Sequence, residues 1–291
     1  MSFLKRLRTL FTSDTTEKNR IDGLEARIDM LERTFMAAKQ IDLVEKDGFW
    51  LYCYVDDFFY RAQLPGSAKQ KSYRDIGNPT ETAHHQRMTP AQFIADWQGP
   101  ADAELRLLAH LADTGIAFSF FDVGILYGLT SMQYSGFLNS IGCDPKVRSF
   151  DPGVAATLAS HNFENNGFSH IEFHPYAVGD FTGRLVLHTE AGQNENNRIV
   201  NPKSFSISRI VQSVRLDDFA RDNDITGMLF VKIDTQGAEP EVMAGLQSSI
   251  AEKRVCGLLE FFPNGYATRI KPVTFLRQLL EQFVLFDVGP L

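Results

Sequence analysis

The segment Phe230-Val231-Lys232-Ile233-Asp234-Thr235-Gln236-Gly237-Ala238-Glu239 gathers the chemically most versatile side chains of the sequence. In an extended strand alternate residues share a face, so Phe230, Lys232 and Asp234 fall on one side, with Val231 and Ile233 on the other. A lysine inside a buried strand is costly unless a carboxylate stands beside it. Glu260, at the end of the Val255 run, and Asp122 are the two candidate partners, and a purely structural ion pair would satisfy the same demand. Asp234, at the strand tip, is a candidate general base. A metal-ligand role together with Glu239 or Glu260 is the alternative, and the sequence does not choose between them. His161, His170, His174 and His188 are further candidate bases, each more easily read as an isolated surface or core polar residue.

Two other strand ends carry related chemistry. After an apolar run comes Asp122-Val123-Gly124-Ile125-Leu126-Tyr127-Gly128. Gly124 and Gly128 let the backbone pass close to a ligand, and the helix that follows offers N–H groups to a negative group. One helix and one strand later stands Phe150-Asp151-Pro152, where a carboxylate can accept hydrogen bonds from both hydroxyls of a ribose, or cap a helix starting near Val154. The glycine spacing is not the G-x-G-x-x-G of a dinucleotide site, which argues against a nicotinamide-dependent oxidoreductase.

These ends need a frame. Ala117–Val123, Val147–Phe150, Ile171–Tyr176, Met228–Ile233 and Val255–Phe261 read as strands, with helices over Tyr127–Ser140 and Val154–Asn165 and others starting near Ala238 and Pro272. Such alternation predicts an α/β fold with a doubly wound, mostly parallel sheet. Ligands of such sheets bind beyond the carboxyl ends of the strands, where strand order reverses. Within residues 181–227, Arg184–His188 and Ile207–Leu216 are β-like and suggest an added hairpin or lid, and the terminal FVLFDVGPL supplies one strand after the last helix.

The first 101 residues read differently. Ile21, Leu24, Ile28, Leu31, Phe35 and Ala38 form an apolar seam that suggests a short coiled coil and a homo-oligomer through residues 21–38. Leu4, Leu7 and Phe11 share a helical side within residues 1–13, compatible with peripheral membrane contact or with a solvated tail. Residues 1–44 are therefore expected to be helical and residues 45–101 an irregular subdomain. In the latter Phe49–Tyr60 looks like buried strand, and Pro65–His85 looks like loop, including the His84–His85 pair. A net charge of -7 argues against a nucleic-acid partner. The absence of any apolar run near 20 residues and the three widely spaced cysteines fit a cytoplasmic protein with reduced thiols.

FDVGILYG, SFDP, YAVGD, VRLDDF, FVKIDTQGAEPEVMAGL and LLEFFP, in this order, resemble the FkbM-type methyltransferases over Asp102 to Leu291. The resemblance implies a Rossmann-like methyltransferase domain over residues 102–291, S-adenosylmethionine as cofactor, and O-methylation of a hydroxyl on a sugar, glycan or related metabolite. It implies that Asp122, Gly124 and Gly128 line the methionine side, that Asp151 holds the ribose, and that Ala177 and Val178 touch adenine. Asp180 would end that strand, and Asp234 and Glu239 would face the methyl and the acceptor; a divalent metal is allowed but not indicated. The family usually places small or polar residues where Ile125 and Leu126 stand, which removes a contact to the cofactor or the turn. That departure leaves a second reading open, a non-catalytic methyltransferase-like module that assembles partners through its N-terminal coiled coil.

Overall fold

The computed structural model describes residues 41–54, 59–63, 84–97, 99–190, 193–198, 206–261, 263 and 269–287. The seam at 21–38 and the segment 1–13 lie outside the described residues. The chain divides into two units, Met1–Asp42 with Tyr54–Asp56, and Leu43–Cys53 with Asp57–Leu291. Everything that bears on the site belongs to the second.

Strands β1 (Ile41–Lys46) and β2 (Phe49–Tyr54) pair with each other, as do β3 (Phe59–Gln63) and β4 (His84–Met88). Residues 41–44 are therefore strand rather than helix. His84 and His85 stand opposite Gln63 and Ala62 in an antiparallel ladder, so the histidine pair is not in a loop. Helix α1 (Pro90–Asp96) starts from Thr89, whose side chain forms a capping box with Gln92. The described parts of the zone expected to be irregular include these short regular elements.

From α2 (Asp102–Asp113) onward the expected alternation is present. Its strands are β5 (Phe118–Val123), β6 (Val147–Phe150), β7 (Glu172–His174), β12 (Met228–Ile233) and β13 (Val255–Leu259). They form one five-stranded sheet of order β13-β12-β5-β6-β7, with every pairing parallel. The chain moves outward from β5 through β6 to β7, then returns to the other side of β5 as β12 and β13. Strand order therefore reverses between β5 and β12, which is where a ligand crevice opens in such sheets. One sheet face is a core of Phe121, Val123, Val231, Ile233, Val242 and Phe275 with their neighbours. On the other, Phe120 packs edge-on against Phe230 and Tyr134.

The run Ile171–Tyr176 is not one strand. Pro175 has no N–H to give to a ladder, so the chain leaves β7 at His174 and re-enters another sheet as β8 (Tyr176–Val178). That sheet has the order β10-β9-β11-β8, with β9 (Gly183–Glu190), β10 (Gln193–Arg198) and β11 (Ser206–Val214). The 181–227 excursion is therefore a small sheet anchored by β8 through the parallel β8–β11 pair, not a detached hairpin. The helices of the large sheet are α3 (Leu129–Ser140), α4 (Ala159–Asn165, preceded by a 3₁₀ turn Ala155–Leu158), α5 (Leu216–Asp222), α6 (Glu239–Ala244), α7 (Gln247–Ala251) and α8 (Pro272–Gln282). Residues 283–287 pair with no strand, in contrast to the strand expected there, and Val284 and Phe286 are exposed. Among the described residues no helix is long and apolar enough to cross a membrane.

Candidate active site

Four neighbouring strands carry the site, and the backbone sets their tips in register. One residue beyond each strand, an N–H continues the ladder to the next strand's carbonyl. Glu260 donates to Ile233, Asp234 to Val123, Gly124 to Phe150 and Asp151 to His174, at 2.9, 2.9, 2.9 and 3.2 Å. The acids expected at strand ends are thus delivered in one row across the switch point.

Lys232 stands opposite Asp122 in the β12–β5 ladder, so both point to the same side of the sheet. Its ammonium lies 3.5 Å from Asp122 Oδ1 and 3.4 Å from Asp234 Oδ2, and donates to the Gly124 carbonyl. Lys232 and Asp122 are buried, and Asp234 is partly exposed. Burial alone would discharge Lys232, but the charges of Asp122, then Asp234 and Glu260, outweigh it and hold the ammonium above its ordinary pKa. Asp122 accepts from Ser131 Oγ at 2.7 Å, and Ser131 in turn meets Ser149. Full burial raises the Asp122 carboxyl, opposed by Lys232 and Ser131.

Asp234 and Glu260 form an unequal pair. Burial, opposed chiefly by Lys232, Glu260 and Gln236, leaves Asp234 below its ordinary pKa. Glu260 is pushed up to about 9 by burial and by the neighbouring Asp234. Two carboxyl groups in hydrogen-bond contact need a proton between them; Glu260 carries it and donates to Asp234. Gln236 Nε2 holds both, donating to Asp234 Oδ1 at 3.0 Å and Glu260 Oε2 at 2.8 Å. With Lys232 charged and Glu260 neutral, Asp234 is the carboxylate held low beside the ammonium, while burial raises Asp122.

Glu239 lies beneath the turn, where the resemblance had it facing the acceptor. It is fully buried, and its Oε1 accepts from Thr235 N, Thr235 Oγ1 and Gly237 N. Three bonds from one carboxylate fix a turn in which Gln236 adopts φ +55°, uncommon for a side-chain-bearing residue. Arg269 closes the turn from the other side, donating to the Gly237 carbonyl and pairing with Glu241 at 2.7 Å.

Around the glycine bend the geometry is equally specific. Gly124 has φ +85°, and a Cβ there would meet the Asp234 carbonyl at 1.7 Å, so β5 and β12 tips approach this closely only with glycine. Gly128 also has φ +85°, but its missing Cβ makes room for the Phe163 ring on α4, at 2.5 Å. The space at Gly128 therefore goes to helix packing and not to a ligand. Asp151 Oδ2 accepts from the N–H groups of Ile125 and Leu126 at 3.1 and 2.9 Å, and Oδ1 from Gly153 at 2.6 Å. It caps the bend rather than the following turn, whose cap position is Val154 without a side-chain bond. Ile125 is buried, and Leu126 is half-buried at φ +52°.

Ala177 and Val178 are buried in β8, in the small sheet; Ala177 packs with Leu185 and Leu187, and Val178 joins the main core. Of the histidines, His174 stacks on Phe150 and His170 meets Ser135 Oγ at 2.9 Å, both away from the Lys232 cluster in bonding. Among the described residues no group of three His, Cys, Asp or Glu side chains could hold a metal ion. Sequence reasoning passed over Gln236, Ser131, Arg269 and Asn162. Gln236 was inside the quoted motif, but its bridging role follows from a left-handed backbone that its residue type does not signal.

The sequence profile described as Methyltransferase FkbM domain matches residues 135–283, just over half of the chain, and covers the tips of β6, β12 and β13. No curated protein and no solved structure matches the chain. The five-stranded parallel sheet is consistent with the Rossmann-like fold of such a domain. The chain belongs to the FkbM methyltransferase family.

Proposed function

We propose that the protein transfers a methyl group from S-adenosylmethionine to a hydroxyl of a sugar, glycan or related metabolite. The observation that carries this reading is the row of strand-tip acids gathered at the reversal between β5 and β12. A cationic sulfonium is favoured beside carboxylates at such strand tips. One atom supports the fit directly: Asp122 Oδ1 is buried and accepts no hydrogen bond, Lys232 being its ion-pair partner at 3.5 Å. The first turn of α3, entered from Gly128, leaves N–H groups without intrahelical partners and would receive the methionine carboxylate.

When bound, the cofactor supplies an electrophilic methyl on sulfur. The chain's own residues do the rest. Asp234, held by Lys232 and Gln236, accepts the hydrogen bond of the acceptor hydroxyl and orients its oxygen; orientation of this kind is worth up to about 7–11 kcal/mol at its limit. A depressed pKa makes Asp234 a weak base toward a free alcohol. It suffices here, because the hydroxyl proton becomes strongly acidic as the new O–C bond forms. Glu260 keeps its proton and leaves the negative charge on Asp234. Gly124 and Asp151 fix the bend that would line the methionine side, and Asp151 retains capacity for a ribose hydroxyl, since a carboxylate offers about four lone-pair sites.

Calorimetric titration with S-adenosylmethionine, followed by transfer of labelled methyl to a panel of glycans and small glycosides, tests the reading. Binding heat and label in the acceptor are expected. A titration without heat would remove the cofactor assignment and leave the non-catalytic module, on whose side the buried Ile125 at the bend is the observation to weigh.

A further inference from the structure

Asn162, in the middle of α4, is fully buried, and its side-chain amide makes three hydrogen bonds across the chain, using both of its N–H groups. Its Oδ1 accepts from Tyr52 N at 2.6 Å, and its Nδ2 donates to Tyr52 O at 3.2 Å. A side-chain amide that both accepts from and donates to one residue's backbone acts as a partner strand would, and so satisfies the edge of β2. The remaining N–H goes to Tyr127 O at 2.9 Å, inside the glycine bend. Asn166, one turn later, serves β2 in the same way, accepting from Trp50 N at 2.7 Å and donating to Trp50 O at 2.7 Å, but it does not reach the bend.

The bend needs such support. It contains three residues with positive φ, Gly124, Leu126 and Gly128, and is closed by a turn from Gly128 N to Ile125 O at 2.8 Å. Asp151 restrains its beginning. Its end is restrained from α4, through Asn162 on Tyr127 and the Phe163 ring beneath Gly128. Strand β2 and the bend therefore share the Asn162 amide.

We propose that Asn162 is a positioning residue that couples strand β2 to the glycine bend, so that cofactor affinity depends on how β2 is docked. The inference rests on the cofactor reading above. Three full-length proteins are compared by calorimetry with S-adenosylmethionine and by thermal unfolding: wild type, Asn162→Ala and Asn166→Ala. Both variants lose bonds to β2 and are expected to lower Tm. Only Asn162→Ala is expected to weaken cofactor binding, by about tenfold, the effect of one hydrogen bond of ordinary strength, with the KM for acceptor unchanged. Equal affinities for all three proteins, or equal weakening by both variants, would overturn it. No heat with wild type would instead overturn the cofactor reading itself. If Asn162→Ala does not fold, amide exchange of the wild type decides. Cofactor should slow exchange at Trp50 and Tyr52 together with residues 125–128, and an unchanged rate at β2 refutes the coupling.

Discussion

Replacing Glu260 by Gln should flatten the dependence of stability on alkaline pH. Glu260 holds a proton in the folded chain because burial and the adjacent Asp234 push its pKa up to about 9, from an ordinary 4.5 in the unfolded chain. Between these values the native state binds a proton that the unfolded state has lost, so stability falls as pH rises through the window. The contribution is complete below pH 4.5 and gone above the folded pKa. Each pH unit inside the window costs up to about 1.4 kcal/mol, so the step from pH 6 to pH 8 costs at most about 3 kcal/mol. Glutamine is a neutral counterpart of the protonated acid: its N–H replaces the O–H toward Asp234, and its carbonyl still accepts from Gln236. Urea unfolding of both proteins at the two pH values measures the difference. Wild type should lose about 2–3 kcal/mol more than Glu260→Gln between them. Equal losses would show that Glu260 is ionised at neutral pH and that the charge assignment of the cluster is wrong.

Asp234→Asn should abolish methyl transfer, while cofactor affinity measured by calorimetry falls only a fewfold. Burial, the largest cause of the raised Glu260 pKa, remains in the variant, while the Asp234 charge that adds to it is gone; retained turnover would take Asp234 out of the mechanism. Lys232→Met leaves Asp122 and Asp234 buried without their cation and should cost about 3–5 kcal/mol in urea unfolding at neutral pH, and less under acid conditions that protonate the carboxyls. Asp151→Ala strips acceptors from three N–H groups, those of Ile125, Leu126 and Gly153. At about 1–3 kcal/mol for each donor left without water or partner, the bend should lose order, seen as fast amide exchange at 125–128 before any global loss of Tm.

The strand tips were readable from sequence because two simple rules converge on them. Alternation put Lys232 and Asp234 on one face, and a buried lysine demands acids; the structure supplies Asp122 and Asp234 directly, with Glu260 one bond further on. The β7–β8 break was in principle visible at Pro175, yet the apolar run around it reads as one strand, since periodicity does not report which sheet a strand joins. Asp151 was read as a ribose ligand or a cap, and Glu239 as facing the acceptor. Both face inward onto backbone N–H groups of turns whose non-glycine residues, Leu126 and Gln236, take φ values of 52° and 55°. Residue type gives no notice of such turns. Asn162 was out of reach for another reason: an asparagine in a short helix is ordinary, and its partner Tyr52 is 110 residues away.

The departure at Ile125 and Leu126 has a physical explanation in this arrangement. A small polar residue after the glycine can bond to the turn itself and hold it. Here that work falls to Asp151, whose Oδ2 takes both N–H groups of the dipeptide. With the backbone restrained from the neighbouring strand, the side chains at these positions no longer have to be polar. Ile125 is then free to enter the core and Leu126 to stay at the surface edge of the bend. Branched residues at this place therefore do not by themselves disable the site. What they require is that Asp151 remain fixed, and the bond from its own N–H to the His174 carbonyl in β7, with His174 stacked on Phe150, provides that. The bend is thus held by the sheet on one side and by α4 on the other, and its conformation is set by groups outside the dipeptide.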